Sequence, residues 1–197
     1  MIGEDLGTVP EGLRETLADT GVLSYRVLPF EREGPRFKPP QAYPPLAWAC
    51  VATHDLPPLA GWWDGLDIAE RLSLRLMSAE EAQRAHAERL ADKQALIEAL
   101  AEDDPTSASF DAANAMTPDL AASIHAFVAR TPSLLAMAQV EDLAGERTAI
   151  NLPGTDRERA NWRRRIATPL DQLLETPSAQ AILAAIRAVR APAPSRS

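Results

Sequence analysis

A chain of 197 residues is long enough to bury a substantial core as one domain or two small ones, and 46% hydrophobic with 24% charged residues is a globular composition. The net charge of -8 suits polyanions poorly, so neither nucleic acid nor an anionic membrane is expected as a partner. Cys50 is the single cysteine, which excludes a disulfide framework and a cysteine-rich zinc site; with no apolar run of ~20 residues and no leader-like start, a reducing cytoplasm is the expected setting.

The opening "MIGEDLGTVPEGL" reads as the end of a strand, with Glu4 and Asp5 at its tip. Thr8 and Glu11 have the spacing of a capping box, and Leu13 and Leu17 share one face of the helix it would open. Gly21 suits the left-handed residue after that helix. "VLSYRVLPF" (22–30) reads as a strand and "EREGPRFKPPQAYPP" (31–45) as a proline-rich loop. "LAWACVAT" (46–53) is a continuous apolar run, the signature of a strand buried on both faces.

After the loop "HDLPPLAGWWDG", Ile68, Leu72 and Leu76 predict a helix over about 67–77. Ser78 and Glu81 form a second capping box, opening a long helix to about Leu100. "EDDPTSAS" is a polar linker. Thr117 and Pro118 suit the N-cap and first position of a further helix, striped by Ile124, Phe127 and Val128. "SLLAMAQV" (133–140) is another buried-strand run, 141–162 a polar loop, and Pro169–Arg190 a last helix or a broken pair. Residues 191–197 read as a frayed tail.

Strands alternating with helices predict an α/β fold with a parallel sheet. Each candidate strand runs into acid: "MIGED", "LPFERE", "CVATHD", "AMAQVED". In such folds the chemistry sits at the C-terminal strand ends, so these acids suggest one rim. Acids there also cap the helices that follow, and the pattern alone leaves both readings open.

Glu4 and Asp5 are candidates for a proton-donating carboxyl, or for plain turn acids. His54 and Asp55 can both face a ligand where the loop curls over the sheet. No third ligand has metal-site spacing, and no G-x-S-x-G elbow supplies a nucleophilic serine. Trp62 and Trp63 are stacking platforms or core. Pro153-Gly154 fits the centre of a type II turn. "NWRRR" (161–165) is a basic partner-facing run or a solvated face anchored by its Trp. No Gly-rich phosphate loop is present, and no cofactor or metal is expected.

The stretches "IGEDLGTVPEGLRETL", "LSYRVLPFE", "VATHDLPPLAGWWDG", "QVEDLAGE" and "NLPGT…NWRRR" follow one another in that order. In that combination the chain resembles the 4-α-glucanotransferases (amylomaltases, or disproportionating enzymes), from Ile2 to about Leu174. The resemblance implies a partial (β/α)8 (TIM) barrel. Residues 1–190 would be its C-terminal part, with a helical insertion at about 67–130. It also implies retaining transfer of α-1,4-glucan segments between maltooligosaccharides or starch-type glucans.

Three carboxylates are expected in that chemistry: a nucleophilic aspartate, a glutamate acid/base and a stabilising aspartate. The family's E-D-L-G motif makes Glu4 the acid/base. Its H-D motif makes Asp55 the stabiliser and His54 a donor-side sugar contact. Phe30 and Asn151 fall at acceptor-side contacts. Pro58 stands where the family usually has Thr. The nucleophile belongs upstream of Glu4, so the chain is expected to be an inactive fragment. Its partners would be an α-1,4-glucan and the missing N-terminal part of the same enzyme, and Met1 would be an internal or mispredicted start. The alternative is a non-catalytic α-glucan-binding or partner-binding half-barrel. An amylase-type hydrolase fits "NLPGT…NWRRR" poorly.

Overall fold

A computed structural model describes residues 1–190; the tail at 191–197 lies outside the described residues. In chain order the elements are α1 (Leu13–Asp19), β1 (Ser24–Val27), β2 (Arg32–Glu33), β3 (Arg36–Phe37), β4 (Ala47–Cys50), α2 (Leu59–Trp63), α3 (Leu66–Ser73), α4 (Ala79–Asp103), α5 (Pro118–Ala129), β5 (Leu135–Met137), α6 (Val140–Ala144) and α7 (Pro177–Arg190).

β1, β4 and β5 form one parallel sheet with β4 in the middle, Ser24 facing Ala47 and Trp48 facing Leu135. Ile2 bridges Leu23 in parallel, so the opening residues are the stub of a fourth strand beside β1. The alternation of element types therefore yields the expected α/β arrangement. The ladders are shorter than the apolar runs. Beyond Val27 the chain turns into a 3₁₀ segment containing Pro29, which has no N–H to give a ladder. Val51, Ala52 and Thr53 stay buried after β4 ends, but they line the curl into the next loop. β2 and β3 make a short antiparallel hairpin inside the stretch read as loop.

The two sheet faces differ. On one, Ala47 and Ala49 are fully buried, and their small size lets α5 lie close against β4. α5 is buried almost all round, with Ile124 and Phe127 at the centre of the core beside Leu96 and Leu100 of α4 and Ile182 of α7. On the other face the half-buried rings of Tyr25 and Trp48 stack across the ladder, their centroids 4.6 Å apart, while Leu135 and Met137 are exposed.

Local signals decide several helix ends. The Ser78–Glu81 capping box forms in both directions, at 3.2 and 2.7 Å. Thr117 caps α5 through the Leu120 N–H. Gly21, at φ 70°, closes α1 as its N–H reaches the Ala18 carbonyl and that of Val22 the Leu17 carbonyl. The expected Thr8–Glu11 box does not form. α1 starts later, at Leu13 behind Gly12, because Pro10–Gly12 is spent in a turn.

The helix expected over 67–77 ends at Ser73, and the long one runs on to Asp103. The polar stretch 141–162 contains α6, and Pro169–Arg190 is the broken pair: a 3₁₀ turn at Leu173–Glu175, then α7. Arg190 folds back to cap the other end of α5, donating to the carbonyls of Ala129, Thr131 and Ser133. α2 packs backbone to backbone on the 147 segment: a Cβ on Gly61 would lie 1.9 Å from the Arg147 carbonyl oxygen.

Candidate active site

The acids at the strand ends divide into two groups. Asp5 is buried: Oδ1 accepts the Tyr25 N–H at 2.7 Å, and Oδ2 takes Arg14 Nε at 3.0 Å with Arg26 at 3.5 Å. It locks the strand stub to β1 and α1. Glu31 is buried between Lys38 at 2.9 Å and Arg26 at 3.6 Å. Asp142 is buried too, accepting the Leu59 N–H at 2.8 Å and facing His125 Nε2 at 3.1 Å. These three carboxylates have all their work inside the fold, so the sequence-level picture of one continuous acidic rim holds only in part.

Of the candidate acids, Glu4 and Asp55 are exposed, as is Glu33 of the "LPFERE" tip on β2. The ladder bonds Gly3 N–H to Leu23 O (2.8 Å) and Leu23 N–H to Met1 O (3.0 Å) bring Glu4 out at the end of the stub. Asp55 follows β4, its N–H bonded to Thr53 Oγ1 at 3.2 Å. Asn151 Nδ2 donates to Asp55 Oδ1 at 2.6 Å, and His54 Nε2 lies 3.6 Å from the same oxygen. His54, Asp55 and Asn151 thus form one group. Among the described residues Glu4 makes no hydrogen bond to that group; its charge and that of Asp55 add only a little to the upward push that burial and Cys50 give the Tyr25 phenol. Phe30 stands on the 3₁₀ turn after β1, 56% exposed, and is not part of the hydrogen-bonded group.

The segment carrying Asn151 is itself held by side chains. Pro153 and Gly154, the latter at φ 84°, form the expected turn, closed by Thr155 N–H to Leu152 O at 3.3 Å. Asn161 grips both sides of it, accepting the Leu152 N–H and donating to Thr155 Oγ1. Arg159, nearly buried, is the hub. Its guanidinium donates to the carbonyls of Ala149 and Ile150 and to Asn161 Oδ1, and it pairs with Glu70 of α3 at 2.9 Å. Two clefts open on either side of Asn151. One, about 480 Å3, is lined by Asp55, Trp62, Glu70 and Arg147; the other, about 570 Å3, by Thr155, Asp156, Arg157, Trp162 and Arg163.

Of the tryptophans considered as platforms, Trp63 is core: it is 1% exposed and its indole N–H bonds the Asn114 carbonyl at 2.8 Å. Trp62 is half-buried under the Arg89 guanidinium, which lies 4.7 Å from its ring centroid. The exposed indole beside the site is instead Trp162, its ring 5.4 Å from that of His54. Its position inside "NWRRR" was visible, but nothing in that run says which tryptophan reaches the rim.

The chain is similar to known proteins over most of its length. Residues 1–171 match the family described as 4-alpha-glucanotransferase. The 4-alpha-glucanotransferase of Haemophilus influenzae is 36% identical over 173 residues, which are 86% of this chain and 25% of that protein. That of Mycobacterium bovis is 33% identical over 174 residues, 83% of this chain and 23% of the relative. The chain thus spans about a quarter of the length of these curated relatives. Among solved structures, the amylomaltase of Corynebacterium glutamicum superposes with a TM-score of 0.85 at 30% identity, covering 94% of this chain and 28% of that one. The amylomaltase of Streptococcus agalactiae, solved in complex with acarbose, superposes at 0.59 with 18% identity over 95% of this chain and 31% of its own, a likeness of fold.

Proposed function

The chain belongs to the 4-alpha-glucanotransferase family, and on that premise we propose that its exposed strand-end group is the acid/base side of a retaining site that transfers α-1,4-glucan segments. Glu4, as the neutral acid, protonates the glycosidic oxygen of the leaving segment while a nucleophilic carboxylate forms a bond to the anomeric carbon. Asp55 faces the positive charge that builds on the ring, and His54 orients hydroxyls on the donor side. Glu4, now ionised, then removes the proton of an acceptor 4-hydroxyl, which displaces the enzyme carboxylate and restores the α linkage. Phe30 and Asn151 serve the acceptor. The nucleophile comes from polypeptide outside these 197 residues, so the chain alone is inactive.

The same reading takes the parallel sheet as part of a (β/α)8 barrel. The face carrying the half-buried Tyr25 and Trp48 and the exposed Leu135 and Met137 is then the side that other barrel strands would close. Residues 1–190 are one unit, with the helices over about 67–130 inserted between barrel strands. A maltooligosaccharide or starch-type glucan is the substrate, the rest of the enzyme is the partner, and the cytoplasm is the location.

The observation that carries the proposal is the Asp55–Asn151 hydrogen bond, which joins the loop after β4 to the loop after α6. Trp62, Glu70 and Thr148 line the cleft beside it, a mix of ring and polar groups in keeping with a site for a neutral, hydroxyl-rich ligand. The test is disproportionation of maltotriose by the chain together with the remainder of its enzyme. Glucose and longer maltooligosaccharides should form with the wild type and fail to form with Glu4→Gln and with Asp55→Asn. Full transfer by either variant overturns the assignment.

A further inference from the structure

We propose that Trp162 is a glucosyl-stacking residue: its indole is the apolar wall of a sugar subsite in the cleft beside Asn151. The inference rests on the glucanotransferase reading and adds a ligand contact to it. Trp162 is 57% exposed, a large aromatic surface left to water at the edge of a cleft of about 570 Å3. Its backbone is at φ 62°, in the left-handed region, where a bulky residue is strained. Glycine or asparagine would hold the same turn at lower cost, so the indole does not serve the backbone.

The surroundings hold that strained residue in place. Its N–H donates to the Ile150 carbonyl at 3.0 Å, and the preceding Asn161 is fixed by its bonds to Leu152 and Thr155. The ring leans on His54 at an interplanar angle of 49°. A pyranose has an apolar face of C–H groups and a girdle of hydroxyls. An aromatic wall with Asn151, Asp156, Arg157 and Arg163 around the opening matches both parts. The other tryptophans are otherwise engaged: Trp63 in the core, Trp62 under Arg89, and Trp48 against Tyr25.

The test measures binding, separately from transfer. The full chain is titrated with maltoheptaose by calorimetry, and its tryptophan emission is quenched with acrylamide with and without the sugar. The expected result is that sugar protects the emission contributed by Trp162, obtained as wild type minus Trp162→Asn. Trp162→Asn and Trp162→Gly should bind about 10-fold more weakly, while Trp162→Phe stays within about 3-fold of the wild type. Trp162→Gly should also unfold at higher denaturant than the wild type, because the strain is gone while the fold is kept. Unchanged affinity in Trp162→Asn overturns the subsite, as does a wild type whose emission maltoheptaose fails to protect. The transferase reading fails on a different result, transfer that survives Glu4→Gln, so either can fall while the other stands.

Discussion

Asn151 Nδ2 donates a 2.6 Å hydrogen bond to Asp55 Oδ1 across 96 residues of sequence. It holds one carboxylate oxygen of Asp55 at a fixed angle and leaves the other free to face a ligand. Replacing Asn151 with Ala should lower kcat/KM for maltooligosaccharide transfer by about 10- to 100-fold, since a group positioned by one neutral-to-charged hydrogen bond is released. The measurement is made with the rest of the enzyme present, and kcat/KM within about 2-fold of the wild type in Asn151→Ala would show that the bond does not position Asp55.

Arg159 should matter for the whole 149–162 segment. It is nearly buried, pairs with Glu70 and donates to two backbone carbonyls. Arg159→Ala leaves that carboxylate and those carbonyls without a partner, and should destabilise the protein by about 2–4 kcal/mol. Urea denaturation measures this, and limited proteolysis should show new cleavage in the 149–162 segment before global unfolding.

Gly61→Ala tests the contact between α2 and the Arg147 backbone. With the added Cβ 1.9 Å from a carbonyl oxygen, α2 has to move away. A loss of about 3 kcal/mol is expected, at the upper end for overpacking. An unshifted denaturation midpoint would mean that the helix gives way freely.

Stability should fall in alkali. Burial pushes the Cys50 thiol up from 9.0 to about 12, with a nearby Asp142 adding and a Tyr25 hydrogen bond opposing. A group raised in the folded state stabilises fully below its unfolded value, and that contribution is lost as pH climbs from the unfolded to the folded value. The window is therefore from about 9 to about 12, and the denaturation midpoint should drop more steeply there in the wild type than in Cys50→Ala. At neutral pH the buried thiol should resist alkylation until the protein unfolds.

The isolated chain should release no glucose from maltotriose and make no longer glucans. The attacking carboxylate of the proposed mechanism is not among Glu4 and Asp55, and Asp5 and Asp142 are buried and fully engaged. Activity that appears on adding the rest of the enzyme as a second polypeptide, and vanishes with Asp55→Asn, is the expected outcome. Turnover by the chain alone would give one of these acids the nucleophile's part.

Much of this was legible in local pattern. Ser78 with Glu81, Thr117 with Pro118, and Gly21 act within one turn of helix, so spacing alone reveals them. Runs of apolar residues located the parallel strands for the same reason, but the run at 133–140 reads as a buried strand, whereas Leu135 and Met137 of β5 are exposed. The Thr8–Glu11 spacing misled because Pro10 and Gly12 favour a turn over the first helical coil. The fate of the acids was hidden. Asp5 and Glu4 are neighbours, and only the positions of Arg14, Arg26 and the Tyr25 N–H decide that one turns inward and the other outward. The choice among tryptophans was hidden likewise, since which indole is covered depends on helices that meet far apart in sequence.

The Asp142 carboxylate also fixes how much slack the His54–Asp55 tip has. That tip hangs between two anchored points: Cys50, paired in the ladder to Val27 and Met137, and Leu59, whose N–H is held by Asp142. His125 behind Asp142 keeps the second anchor from sliding. A strap tethered this close on both sides has little travel. Asp55 then behaves as a fixed post, and a ligand in the cleft has to bend to it.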